Sequence, residues 1–373
     1  MRTAAIACAG ILLCSARASA QVHPDKLVFK GDSATIDSLK QAEYPYVFPI
    51  WGEKVQQLGI ALPLSAGIGV NYLWQESDLE IEGLSVGFNH GPMVDMGEVI
   101  RFSSAVSEAS AVNVRPDLWV LPFLNVYGLV AVGQASTSIE AGLWLPDTLN
   151  NWQEVGVFSS KADFDVQTFG FGLTPTFGMG GGWVALDMNF AWSDVDALDK
   201  PAFSFVFGPR FGKTFKLKNP RRTLAAWVGG FRLNLASATS GSLDLAEVIP
   251  VDELQAAVDQ GIERVGDAQT DVEAWWTALP PAEQLNPVNR ARYEAANRAL
   301  ERAGTFLTNL DGALSTAESA TVQYSLAKSQ AQQWNLIVGG QFQWNEHLMF
   351  RAEYGFLGSR KQFLGGIQFR FGL

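Results

Sequence analysis

The sequence predicts an all-β transmembrane antiparallel β-barrel of about twelve strands with an inserted α-helical hairpin. Composition is the first reason. Only 17% of residues are charged, 12% are aromatic and 36 of the 373 are glycine, against about 25% charged and about 7% glycine in ordinary soluble domains. Alternation is the second. From Gly59 onward, outside 243–330, apolar residues recur at every other position, the period of a strand with one apolar face. The third is an abrupt change over 243–330, where glycine becomes scarce and apolar residues recur at steps of three and four. No run of about 18 apolar residues free of charges and turn residues occurs, which excludes a helical membrane protein.

Residues 1–20 read as a signal peptide: a basic start at Arg2, an apolar stretch from Ala4 to Leu13, and Ala18-Ser19-Ala20 before a cut at Gln21. Both cysteines, Cys8 and Cys14, lie in that segment, so the chain beyond it has no thiol for disulfides, nucleophilic catalysis or zinc. A net charge of −11 argues against nucleic acid as a partner. Residues 21–58 follow as a periplasmic N-terminal tether or plug, polar at first and then dense in aromatics and proline from Tyr44 to Trp51. Proline at that density excludes a regular helix or a central strand. Because a glycine-lined strand comes next, Tyr46, Phe48 and Trp51 are expected to enter the barrel from its periplasmic end.

The barrel is assigned to 59–373. Its strands are placed at 59–74, 79–88, 94–104, 110–121, 124–140, 163–177, 181–193, 201–213, 222–236, 331–344, 347–357 and 361–373. An even number leaves both ends of the barrel on one side. Pro122-Phe123, Gly178 to Gly180 and Asn345-Glu346 are then short periplasmic turns, and 141–162 and 237–330 are long outer connections. The clearest alternation closes the chain: Phe363, Ile367, Phe369, Phe371 and Leu373 share one face, and Gly366, Gln368, Arg370 and Gly372 the other. Trp74, Trp192 and Trp334 fall near the outer strand ends, and Trp119, Trp183, Trp227 and Trp344 near the inner ends, as two aromatic girdles would.

The signal segment, the alternating strands and the closing run from Phe363 to Leu373 together resemble bacterial outer-membrane β-barrel proteins. That class usually ends in Phe or Trp, so with Leu373 in last place Phe369 and Phe371 are the residues to be recognised. The resemblance implies residence in the outer membrane of a Gram-negative bacterium, contact with its lipid, and delivery to the outer-membrane assembly machinery through the C-terminal strand.

Within 243–330, Leu254, Val258, Ile262, Val265, Val272 and Trp276 form one apolar stripe, and Tyr293, Ala296, Leu300, Ala303, Leu307, Leu310 and Leu314 a second. Pro280-Pro281 and Asn286-Pro287 separate them, with Asn286 suited to cap a helix that starts at Pro287. The pattern predicts a helical hairpin in an extracellular loop, with Trp275-Trp276 beside its tip.

No catalytic, cofactor or metal chemistry is legible. His23, His90 and His347 form no hydrolase pattern with a serine. Asp194, Asp196 and Asp199 read as solvated loop charge rather than a calcium site. Gly180-Gly181-Gly182 joins two strands with no helix after it, a turn rather than a phosphate loop. Neither an enzyme nor a cofactor is therefore expected. Alternation does pick out an inward set: Arg101, Arg115, Asp117, Asp187, Arg210, Arg232, Arg351, Glu353 and Arg370, with Asp95. Such charges either line a solute-selecting pore or pair off to fill a closed barrel. The leading expectation is a narrow channel or transport protein for small solutes. Its alternative is a barrel-anchored surface protein whose hairpin binds a partner or a surface.

Overall fold

The computed structural model describes residues 37, 40–146, 152–179, 181–195, 198–219, 221–235, 238–244, 251–316 and 320–373; the expected signal segment, Cys8, Cys14 and His23 lie outside them. Ten strands close an antiparallel ring: β1 (Ala66–Phe88), β3 (Ile100–Leu121), β4 (Leu124–Pro146), β5 (Trp152–Met179), β6 (Gly182–Val195), β7 (Ala202–Lys216), β8 (Thr223–Leu235), β11 (Trp334–Gln343), β12 (Leu348–Phe356) and β13 (Arg360–Phe371). Pairing of β1 with β13, from Ala66 to Ser77, shuts the ring. Three more strands lie outside it: β2 (Val94–Asp95), β9 (Ala238–Asp244) and β10 (Thr321–Gln330).

The expected twelve strands are thus corrected to ten. The segments placed at 59–74 and 79–88 are one strand, β1, and β3 runs from Ile100 through what was expected to be a turn before 110. The long connection expected at 141–162 is mostly strand, leaving 147–151 between β4 and β5. Length explains the error. A tilted strand needs about 9–11 residues to cross a bilayer, whereas β1, β3, β4 and β5 have 23, 22, 23 and 28. Beyond the crossing length both faces of the wall can meet something other than lipid, so the apolar alternation stops while the hydrogen-bonded ladder continues. Asp78, Glu80 and Glu82 on β1 and Glu108 on β3 face outward and exposed in that region. Their charge marks the end of an apolar belt, not the end of a strand.

The wall is tall on one side only, since β6, β8, β12 and β13 have 14, 13, 9 and 12 residues. Above Ser77, β10 replaces β13 as the neighbour of β1, from Leu79 opposite Gln330 to Phe88 opposite Val322, and β9 extends that sheet. On the other edge of β1, the ladder with β3 ends at Asp78 opposite Val106. A bulge in β3 between Phe102 and Ser104 then re-aims the strand. Arg101, expected inside, consequently lies exposed on the outer face, its guanidinium stacked 4.7 Å from the Trp144 ring centroid and 4.9 Å from that of Trp152.

Polarity inverts along the wall. In the half that carries both ends of the ring, here called proximal, Ile68, Val70, Val130, Phe169 and Phe211 are exposed on the outside, while polar side chains are buried within. In the distal half Leu79, Leu84, Val86, Phe88, Ile100 and Ile139 point inward and are buried in one core with the helical hairpin. That hairpin consists of α2 (Val251–Ala278), the short α3 (Pro281–Gln284) and α4 (Pro287–Leu314), preceded in the chain by α1 (Gly52–Gln57). Helix α4 supplies Ala296, Ala299, Leu300, Ala303, Phe306 and Leu307, and α2 supplies Val258, Val265 and Val272, all from one face of each helix. Phe306 meets Phe88 with ring centroids 5.7 Å apart, and Arg302 pairs with Glu98 and Asp95 on the rim at 3.2 and 3.8 Å.

The hairpin therefore fills the distal mouth instead of standing clear of it. Its start follows the sequence: Asn286 accepts from the Val288 N–H at 3.0 Å, and Pro287 opens α4. The insert is shorter than 243–330, because its flanks belong to β9 and β10 and each long helix has 28 residues. Trp275 and Trp276 pack within the hairpin, Trp276 stacking on Tyr293 at 4.5 Å. Among the described residues, no helix is long and apolar enough to cross a membrane. The same inversion corrects Arg232. Phe231 and Leu233 take the inward positions, so Arg232 faces out and donates to Gln333 Oε1 at 2.9 Å.

Residues 40–65 cross the proximal end. The Phe48 N–H donates to Leu373 O at 3.1 Å and that of Ile50 to Val120 O at 2.8 Å, which docks the segment on strand ends. Tyr44 donates its hydroxyl to Phe48 O at 2.7 Å; burial, and then Tyr46, push that phenol up to about 12, so the bond survives across neutral pH. The plug expectation fails here. Trp51 is 53% exposed and Tyr46 36%, and Phe48 is half-buried at the rim, because the lumen above them is already filled from the strands. The girdle expectation also needs correction: Trp119, Trp183 and Trp227 are buried inward, with the Trp183 and Trp227 rings lying where a Cβ on Gly212 or Gly339 would stand. Trp334 and Trp344 stay exposed on the outside. Between β5 and β6, Gly181 turns the chain at φ 82°, a conformation that favours glycine.

This topology predicts sidedness. Both cysteines precede residue 21, so a cysteine introduced after it is unique in a chain from which the expected signal segment, or both cysteines by substitution, have been removed. Leu285→Cys, at the exposed hairpin tip, should be labelled on intact cells by a thiol reagent that cannot cross the outer membrane. Asn219→Cys, in the proximal turn between β7 and β8, should react only after permeabilisation. The opposite pattern would invert the orientation.

Candidate functional site

The lumen is organised in tiers, and the lowest is charged. Arg210 lies between two carboxylates: Nη1 donates to Asp187 Oδ2 at 3.3 Å, while Nε and Nη2 donate to the two oxygens of Glu353 at 2.9 and 3.2 Å. Glu353 also accepts from Arg351 Nη2 at 3.1 Å and Trp227 Nε1 at 3.0 Å. Asp187 accepts from Thr174 Oγ1 at 2.8 Å and from the Tyr127 hydroxyl at 2.9 Å. These residues come from β4, β5, β6, β7, β8 and β12, so the network crosses the barrel.

A second knot stands beside it. Asp117 accepts from Arg370 Nη1 at 3.1 Å, from Asn125 Nδ2 at 2.8 Å and from Gln368 Nε2. Arg370 also donates to Leu64 O from Nε at 2.9 Å and Nη2 at 2.7 Å. Arg115 bridges the knots, its guanidinium 3.7 Å from the Tyr127 ring centroid and its Nη2 3.4 Å from Asn125 Oδ1. Strand periodicity makes such knots possible, because residues two apart share a face: Arg115 with Asp117, Asp187 with Asn189, Arg351 with Glu353, Gln368 with Arg370. Arg210, Asp187, Glu353, Arg370 and Asp117 are each at most 5% exposed. The space left between Gly69, Asn71, Arg115, Gln341, Arg351 and Gln368 is a cavity of about 20 Å³, room for roughly one water.

Above this lies a tier of hydroxyls and amides, including Ser77, Ser107, Thr137, Thr168, Ser193, Asn335 and Gln362, joined by Arg360 and, further up the buried face of β10, by Lys328. The helical core closes the lumen above them.

Of the inward set read from the sequence, Arg115, Asp117, Asp187, Arg210, Arg351, Glu353 and Arg370 converge in the charged tier; Arg101 and Arg232 lie outside it, and Asp95 sits on the distal rim. Alternation missed Tyr127, Trp227 and Arg360. Tyr127 and Trp227 have inward parity, but aromatic residues were assigned to the apolar face. Arg360 starts β13 one position before the expected strand.

A closed antiparallel ring with an outward apolar belt and a polar, packed lumen defines the class: an outer-membrane type of β-barrel. No protein-family model matches the chain, and no curated protein matches it at significance. Among solved structures, it is similar to the translocator domain of the autotransporter NalP from Neisseria meningitidis, at 8% identity and a TM-score of 0.31, over 82% of this chain and 89% of that one. The β domain of the Bordetella autotransporter BrkA gives 10% identity and 0.29 over 82% and 100%. The Ralstonia pickettii toluene transporter TbuX gives 11% and 0.25 over 83% and 90%. At such scores these likenesses assign neither a subfamily nor an activity.

Proposed function

We propose that this protein is a closed outer-membrane barrel whose proximal half is an anchor and whose distal half presents the helical hairpin to a partner at the cell surface. One observation carries the reading: the lumen is blocked twice, by the charged tier and by the hairpin core. A channel for small solutes needs a continuous wet path, and its opening would require both the Arg210 network to part and α4 to leave the wall. The apolar belt supports placing the proximal half in lipid. The exposed hairpin tip, with Leu285 80% and Val288 57% exposed, supports recognition at the surface.

Planar bilayers test the choice directly. The wild-type protein should insert without steady conductance, because no step of the proposal needs a pore. Discrete, sustained openings of the unmodified protein would overturn the anchor reading and restore the channel.

A further inference from the structure

We propose that the edge of β5 above the turn between β6 and β7 accepts an extended, basic segment of another protein as an added strand. The edge exists because the wall is uneven. Pairing of β5 with β6 reaches no higher than Val166 opposite Val195, and that of β7 with β8 no higher than Ser204 opposite Leu235, so the β6 and β7 hairpin stops there. β5 continues to Trp152, held on its other side by β4 as far as Pro146. Among the described residues, no strand pairs with β5 on the β6 side beyond Val166.

Parity decides which groups that edge offers. The Thr176 N–H donates to Phe123 O, on the side of β4, and the ladder between β4 and β5 runs without a shift from Pro175 to Gly156. Even-numbered residues of that stretch therefore bond to β4, and odd-numbered ones turn their N–H and C=O away from it, as an antiparallel ladder requires. Above Val166 these include Asp165, Asp163, Lys161 and Val157, all exposed on the outer face. No proline interrupts residues 152–165, and the register shift opposite Leu143 and Trp144 lies beyond Gly156, so residues 157–165 form a regular template. An added strand exchanges water on these groups for ladder bonds, the mode by which a sheet edge takes up an extended peptide.

Charge selects the occupant. Lys161 pairs with Asp163 at 3.6 Å, which leaves Asp165 in surplus, in contact with Gln134 Nε2 at 3.4 Å and with no cation among the described residues. Asp163 and Asp165 stand on the rim of a depression of about 540 Å³ that also holds Glu108. On α2, exposed carboxylates recur at four-residue steps, at Asp259, Glu263, Asp267 and Asp271. A second copy fits poorly. It brings the same carboxylates on a chain of net charge −11, and antiparallel two-fold pairing of one edge with itself points the two barrels in opposite directions, which one membrane does not allow.

The register specifies the partner further. Directly opposite residues interact, so the segment needs Lys or Arg against Asp165 and Asp163 and an acid against Lys161. Apolar side chains between them would meet the half-buried Phe164 and Ala162. This edge is separate from the hairpin tip; it takes from the proposed function only that the distal end lies outside the cell, and the two readings can fail separately.

The test uses the full chain folded in detergent micelles and the peptide Lys-Val-Lys-Val-Glu-Val-Thr-Val-Thr, whose first residue is set against Asp165 in the antiparallel sense. The peptide should bind saturably and slow amide exchange at Val157, Lys161, Asp163 and Asp165, while Ala162 and Phe164, already bonded to β4, keep their rates. Exchanging its lysines for glutamate and its glutamate for lysine should weaken binding at least about tenfold, and raising salt from about 0.05 M to about 0.5 M should weaken it severalfold. Asp163→Lys/Asp165→Lys, at two exposed sites that leave the barrel folded, should reverse the preference between the two peptides. N-methylation at the second lysine and the glutamate keeps every charge and removes two ladder donors, and should cost at least about tenfold in affinity. No saturable binding, binding without protection of the four amides, or equal affinity of the methylated peptide would overturn the added strand. Equal affinity for the two charge patterns would overturn the basic partner. A dimer protected at the same amides without peptide would give the edge to a second copy and overturn the proposal.

Discussion

Replacing Glu353 with alanine should destabilise the barrel by about 3–5 kcal/mol, the largest single-residue effect expected in this molecule. Removing that carboxylate leaves Arg210 with Asp187 at 3.3 Å as its one carboxylate among the described residues and strips Arg351 of its carboxylate partner, in a site where Glu353 is 2% exposed. It also frees the Trp227 indole N–H, now donating at 3.0 Å. Breaking a buried pair costs far more than the pair is worth against an apolar replacement. Replacing all four charges together, Asp187→Asn/Arg210→Met/Arg351→Met/Glu353→Leu, leaves no buried ion unpaired in that network and should therefore recover much of the loss. Urea unfolding in lipid vesicles measures both. A loss below about 1 kcal/mol for Glu353→Ala would mean that water reaches the tier and screens it.

Excising residues 251–314 and joining the ends with a short linker should collapse the distal wall while sparing the proximal ring. Without α2 and α4, the inward Leu79, Leu84, Val86, Phe88, Ile100 and Ile139 lose the core they share with the hairpin. The expected result is protease cleavage of β1 beyond Ser77 on intact cells, with the heat-dependent gel shift of a folded barrel retained. Leu300→Ala, fully buried in α4, should show a smaller version of the same effect, about 2–5 kcal/mol against distal unfolding. A protease-resistant distal wall in the excised protein would show that the hairpin is an appendage.

The proximal half was legible because lipid and lumen impose opposite chemistry on alternate residues. Ile367 and Phe369 against Gln368 and Arg370 can be read without a structure. The distal half was illegible for the same reason turned round. Where water lies outside and helices inside, Glu80 and Glu82 on the outer face looked like interruptions, and Phe231 beside Arg232 looked like a lipid-facing residue beside a pore-facing one. The helices themselves were plain from their spacing and from Asn286-Pro287, but nothing local says whether an amphipathic hairpin packs on itself or into its own barrel. Pairing within the lumen was out of reach as well. Arg210 and Glu353 are 143 residues apart in the chain, and only ring closure makes them neighbours.

The takeover of β1 by β10 above Ser77 bears on how the ring is held shut. In any barrel the join between first and last strands is the one made without a covalent turn. Here β1 carries twelve register pairs with β13 below and eight with β10 above, so the ladder along that edge of β1 is two-thirds longer than β13 alone makes it. Helix α4, which enters the chain just ahead of β10, packs across the inner side of the same region through Phe306 on Phe88. The hairpin thus works as a rivet over the closure. Forces that pry β1 from β13 must also lift a helix, and the weakest line for parting this barrel sideways lies elsewhere, where β1 and β3 cease to pair beyond Asp78.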